Sequence, residues 1–519
     1  MLLNHPATTA TATTAILFRC HHQHSCLSPH LSHSLTFSPG VSSSSLSKPL
    51  TTSANPVSPS FKCFISSKAT RYGTVDYENR RSVPWIFIFK RLSSIPDTEI
   101  GADSVLDQFE KEGKKISKFC LYRVVQELRK FKRYKVALEV YEWMKSRPEK
   151  FWMSISDLAV KLDLISKVHG VSTAEDYFRN LGNHLKDGRV CGSLLNAYAR
   201  SKMKEKAESL FATMKEEGFV SHALTCNVMM TLYLDIKEYD KVETIVSEMR
   251  EKNIPLDLYS YNIWLSSLGS QNSLEKMEQV FELMKIDTSI DLGWSTFSTM
   301  ATMYIKMGHF DKAGECLKQM ELMIEGHGRV PFQFLISLYG NLGKTGDVHR
   351  VWKAYKSKFI SISNMGYRGV ITSLVKCGDV EGAEDIYDEW LSANSPPFDP
   401  RIGNILLACY VRNQETEKAD VFFNQMVAMG GKPNSRTWEI LAEYYMMSGG
   451  RVSEALACLK DAVLANESKR WKPRHAIVSS ILGHCEGEGD VASKETLLEV
   501  LKQTGGLGDE MEKDDYIDE

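Results

Sequence analysis

A unit of about 35 residues recurs along most of this 519-residue chain, and each unit reads as a helical hairpin. Tyr261-Asn262-Ile263-Trp264-Leu265, Thr296-Phe297-Ser298-Thr299-Met300 and Thr437-Trp438-Glu439-Ile440-Leu441 open three first helices. A second pattern follows each, as in Phe310-Asp311-Lys312-Ala313, then Cys316-Leu317 and Met320. One hairpin cannot bury its apolar face alone, whereas stacked hairpins bury a continuous core and leave a long concave surface. The expected fold is all-α, a right-handed α-solenoid of about ten to eleven helix-turn-helix repeats. Function is expected on that surface rather than in a pocket.

Composition narrows the class. With 43% hydrophobic and 25% charged residues, the chain has ample material for a core. No apolar run of 18 or more residues is present, so no membrane partner is expected. The eleven cysteines include no C-x-x-C pair. Cys191, Cys226, Cys316, Cys377, Cys409 and Cys458 fall within the helical pattern and read as small buried hydrophobes in a reducing compartment.

The first 75 residues contain no Asp or Glu, are crowded with Ser and Thr, and carry only Arg19, Lys48, Lys62, Lys68 and Arg71 as cations. Residues 1–71 are read as a disordered transit peptide. Scarce Arg and abundant Ser place a chloroplast ahead of a mitochondrion. Without those five cations, the formal net charge of −2 becomes about −7. Residues 72–118 read as a capping hairpin and 119–470 as the repeats. A degenerate repeat follows at 471–505, then an acidic, disordered tail at 506–519. Gly308, Gly343, Gly378 and Gly449 fit the left-handed turn between helices. Ala137, Ala174, Ala207, Ala313, Ala383 and Ala419 allow close helix approach.

No catalytic constellation is found. Gly343-Lys344-Thr345 lacks the first glycine and the strand of a phosphate loop, and no H-E-x-x-H, zinc-deaminase signature or calcium loop occurs. The chain is not expected to be an enzyme, and no metal, cofactor or small-molecule substrate is expected.

Polar residues recur instead at fixed places in the unit. Lys130, Lys167, Arg200, Lys306, Lys376 and Arg412 stand near the end of the first helix. Such a ladder matches the phosphates of an extended single strand, and equally answers the helix dipole. A second set occupies the fifth place: Asn227, Asn262, Ser298, Gln333 and Asn404. A third closes each unit: Asp257, Ser363, Asp399 and Asn434. Residues of this last type are also ordinary helix N-caps.

Leu258-Tyr259-Ser260-Tyr261-Asn262, the closings Ile254-Pro255-Leu256-Asp257 and Lys432-Pro433-Asn434, and the Ala-x-x-x-Phe-x-x-Met second helix resemble pentatricopeptide repeats, over about residues 119 to 465. With no deaminase tail the chain resembles the pure-repeat class of plant organelle proteins. That resemblance implies single-stranded organellar RNA as partner, one base per repeat. It implies that the fifth and closing residues read the base and that second-place residues, here Leu224 and Tyr259, sandwich it. Asn227 with Asp257 matches the family's uracil pair, and Asn404 with Asn434 a pyrimidine pair. Asn262 leans to pyrimidine and Ser298 to purine, each closed by a glycine, Gly293 or Gly328. Gly192/His222, Gln333/Ser363, Arg368/Asp399 and Glu439/Arg474 depart from the familiar combinations. The resulting function is RNA stability, processing, splicing or translation by occupancy; the alternative is a scaffold for protein partners in the same organelle.

Overall fold

The computed structural model describes residues 84–95, 101–324, 328–393, 398–466 and 471–505. The leader expected at 1–71 and the acidic tail at 506–519 lie outside the described residues. Among the described residues there are 24 α-helices and no strand, and the fold is an all-α solenoid of helix-turn-helix repeats. They form two compact units that divide within the helix Ala223–Asp235, the first ending at Leu232 and the second starting at Tyr233.

The first unit opens with the helices Pro84–Ser93 and Ala102–Lys111, which pack on the next hairpin, Lys118–Lys130 and Tyr134–Lys145. The hairpins Ile155–Val168 with Val171–Arg179 and Gly188–Arg200 with Lys204–Glu216 follow. In the second unit the first helices, from Leu258–Ser270 through Trp294–Lys306, Val330–Asn341, Asn364–Lys376 and Pro400–Arg412 to Ser435–Met447, each pack on the next. Successive first helices therefore line one face, and that face carries the recurring polar places.

Local chemistry sets each hairpin. Asp257 caps Leu258–Ser270 by accepting from the Ser260 amide at 2.7 Å, in a capping box. Past that helix the chain reverses at Asn272, φ 56°, and the Ser273 amide donates back to the Leu268 carbonyl at 3.0 Å. This is a Schellman closure, and it recurs after Trp294–Lys306, where Gly308 has φ 81° and His309 bonds Tyr304. At Lys132, Lys202, Lys237, Asn272 and Gln414 the same left-handed position is held by a residue other than glycine. The recurring alanines Ala137, Ala207, Ala313, Ala383 and Ala419 are fully buried, as are Met284, Met320 and Met426. Small residues at the contact and unbranched thioethers beside it let the helices approach and fill what remains.

A tie across repeats went unread in the sequence. Tyr304 donates to Glu278 at 2.9 Å, and Lys312 reaches the same oxygen at 2.6 Å. Tyr410, Glu384 and Lys418 repeat this at 2.7 and 2.6 Å, and Tyr339, Glu321 and Arg350 at 2.5 and 2.7 Å. Each carboxylate, on the second helix of one repeat, thereby holds both helices of the next. Burial, with the Glu278 carboxylate beside it, pushes the Tyr304 pKa up, so the phenol stays a donor.

Candidate nucleic-acid interface

The fifth-place side chains lie on the stacked first helices and are buried: Asn227, Asn262, Ser298 and Asn404 are all under a tenth exposed. A hydroxyl one turn further on fixes the backbone beneath them. Thr231 donates to the Asn227 carbonyl at 2.7 Å, Ser266 to that of Asn262 at 2.8 Å, and Thr302 to that of Ser298 at 2.7 Å. The four-residue back-bond holds each hydroxyl inside its own helix, so it does not compete for a ligand.

Fifth and closing residues meet directly in two repeats of the second unit. Asn404 Nδ2 donates to Asn434 Oδ1 at 3.2 Å, and Thr437 donates to Asn404 Oδ1 at 2.8 Å. Asn434 also caps its helix by accepting from the Thr437 amide at 2.9 Å. One amide therefore caps and orients together, so the two readings of the closing residue are compatible. In the next repeat Glu439 is buried and accepts from Arg436 at 2.7 Å and from the Arg474 amide at 2.7 Å. The Arg474 side chain lies 3.3 Å from Glu439 and also pairs with Glu443. That combination is neutralised within the protein.

The repeats closed by glycine differ. Asn262 Oδ1 and Ser298 Oγ are buried without a hydrogen-bond partner. A Cβ at Gly293 would meet nothing within 4 Å. Buried polar atoms are rarely left unpaired, and these two carry a desolvation cost that no protein hydrogen bond offsets. Asn227 belongs to the first unit and Asp257 to the second. Asp257 is exposed and serves as the cap of its own helix. Leu224 is 37% exposed, in the first unit, and Tyr259 is half-buried, in the second.

The cations are not equivalent. In the first unit Lys130 pairs with Glu127 at 2.7 Å, Lys167 with Asp163 at 2.9 Å, and Arg200 donates to Ser166 at 2.7 Å. In the second, Lys306 is half-buried, and burial with Lys237 nearby lowers its pKa. Burial around the ammonium also lowers the pKa of Lys376, which donates to Asn341 at 3.3 Å. Arg412 is exposed and makes no ion pair among the described residues.

Sequence reasoning missed Asp163. It is buried in the helix Ile155–Val168 and pairs with Arg129 at 3.0 Å as well as with Lys167. Burial alone would raise its pKa, but Lys167, Arg129 and Arg200 outweigh it and hold the carboxyl below the usual range. The readable signal was spacing, since opposite charges at 129 and 163 stand one repeat apart.

Five segments, 189–219, 224–254, 295–323, 367–395 and 404–431, match the family described as PPR repeat, and 244–288 matches the pentatricopeptide repeat domain. A pentatricopeptide repeat-containing protein of Arabidopsis thaliana is 51% identical over 447 residues, covering 86% of this chain and 85% of its own. Another from the same plant, named as mitochondrial, is 32% identical over 425 residues, covering 82% and 86%. Among solved structures, that of PPR10 in complex with an 18-nt psaJ RNA element aligns over 78% of this chain and 58% of its own, at 18% identity and a TM-score of 0.49. The chain belongs to the pentatricopeptide repeat family.

Proposed function

We propose that the chain binds single-stranded RNA in an organelle along its stacked first helices and acts there by occupancy, with no bond made or broken. The contact between Asn404 and Asn434 carries this reading. It joins two side chains 30 residues apart on the face where equivalent places recur. An oriented amide pair can present donors and acceptors to one base edge. The unpartnered Asn262 Oδ1 and Ser298 Oγ support the same use at the glycine-closed repeats. Asn227 and Leu224 in the first unit, and Asp257 and Tyr259 in the second, remain proposed RNA-contacting residues.

Selection of the purified full chain on a randomised RNA pool tests this. A pyrimidine is expected opposite Asn404/Asn434. Asn404→Ser should move that base toward purine by about 1–3 kcal/mol of discrimination. A pool with no base preference before and after the change, with a protein partner retained instead, favours the scaffold reading.

The acid-free, Ser-rich residues 1–75 support import into plastids, while the names of five relatives point to mitochondria. A fluorescent fusion of residues 1–80 is expected to accumulate in plastids. Mitochondrial accumulation alone overturns the plastid assignment, and cytosolic retention overturns the organellar one.

A further inference from the structure

In the first unit three cations converge on one cleft of about 370 Å³, lined by Lys132, Tyr134, Ser166, Lys167, Arg200 and Ser201. Beneath it lies a single buried carboxylate, Asp163, with Arg129 at 3.0 Å, Lys167 at 2.9 Å and Arg200 at 3.7 Å. Arg129, Lys167 and Arg200 thus share one anion, and Lys132, also in the lining, makes no ion pair among the described residues. We propose that this cleft is a site for a phosphate monoester dianion, the group carried at the end of an RNA strand. The proposal rests on the RNA-binding reading and adds a terminal group to the internal phosphates of the ladder.

Three observations support it. First, the charge is unbalanced. Lys167 is only 9% exposed at its side chain, and burial with Arg200 and Arg129 nearby depresses its pKa although Asp163 opposes this. An arriving anion would relieve that repulsion. Second, Lys132 has φ 57°, at the turn position where Gly308, Gly343 and Gly378 stand in other repeats. A lysine is strained there relative to glycine, as Lys202 and Lys237 are in their repeats, and Lys132 is the one of these three that lines the cleft. Third, the lining supplies neutral hydroxyl groups beside the cations, Ser201 and Tyr134, while Ser166 donates to the Asp163 carbonyl at 2.8 Å and holds Arg200 in place by accepting from it at 2.7 Å. Burial, with Asp163 adding to it, raises the Tyr134 pKa, so its hydroxyl remains protonated as a donor. Charge selects the ligand class: an internal diester brings one negative charge, whereas a monoester brings about −1.5 to −2 at pH 7. The larger charge matches the excess of cations.

The experiment uses the full chain and one RNA sequence in three forms, with a 5′-phosphate, with a 3′-phosphate, and with hydroxyls at both ends. One phosphorylated form should bind about tenfold or more tightly than the dihydroxyl form, as charge-assisted hydrogen bonds to a second charge require. The form that gains identifies the end. Lys132→Gly suits the positive φ and keeps the fold. It should remove most of the gain while leaving dihydroxyl RNA bound as before. Equal binding of all three forms overturns the proposal and leaves the RNA reading standing, as does a Lys132→Gly variant that keeps the full gain. Inorganic phosphate is the small probe. Should no RNA bind, a thermal shift by phosphate that disappears in Lys132→Gly still supports the cleft and removes the RNA reading.

Discussion

Asp163→Asn should cost the first unit about 3–5 kcal/mol, the range for removing one partner of a buried ion pair. The carboxylate is the shared anion of Arg129, Lys167 and Arg200, whose side chains are 16%, 9% and 35% exposed. Asparagine keeps the shape and removes the charge, so Lys167 and Arg129 remain buried against each other without compensation. Denaturant unfolding of the full chain, with hydrogen exchange followed over residues 118–216, checks the size and the place of the loss. A change below about 1 kcal/mol would mean that water already screens the cluster. Acid should reproduce the variant in the wild type. Because the folded pKa of Asp163 is lowered, its contribution is fully present above the unfolded value of about 3.9 and disappears as pH falls through the lower folded value. The same substitution raises the positive charge of the cleft. Where the variant is still folded, it should bind phosphate more tightly, which separates a stabilising role of Asp163 from a ligand-binding one.

The hairpin architecture was legible because its causes are local and repeat. A buried alanine such as Ala313, a methionine such as Met320 about two turns later and a left-handed Gly308 before them are all visible within one unit. Contacts between units were less visible. The carboxylate Glu278 reads as a solvated charge on its own helix, and only the fold brings it to Tyr304, 26 residues on, and to Lys312, 34 residues on. Asp163 escaped for the same reason. The recurring cations were visible as a set, but not the differences among them. Lys130 already has Glu127 three residues before it, whereas Arg412 has no carboxylate in reach among the described residues. The fifth places were visible as polar positions. Their burial was not, nor was the division between residues tied within the protein, such as Glu439 with Arg474, and those left unpartnered, such as Asn262 and Ser298.

That inequality among the cations sets the largest expected effect on binding. Replacing Lys306, Lys376 and Arg412 together by Ala should weaken binding to every RNA alike and flatten the salt dependence by about two units of slope, at ~0.7 per contact for a single strand. None of the three is held by a carboxylate within hydrogen-bond distance among the described residues, so the full charge of each is available to a phosphate. Little stability should be lost. Lys306 sheds repulsion from Lys237, and Lys376 gives up one hydrogen bond to Asn341, about 1 kcal/mol at most. Lys130→Ala serves as the contrast. Its charge is already answered by Glu127 at 2.7 Å, so removing it should change the slope by well under the ~0.7 of one contact. Both variants are to be titrated from low to high salt against the same RNA. An unchanged slope in the triple variant would mean that these cations only complement the C-terminal dipoles of their helices. An equal loss of slope in Lys130→Ala would show that ion pairing within the protein does not select which cations meet the strand.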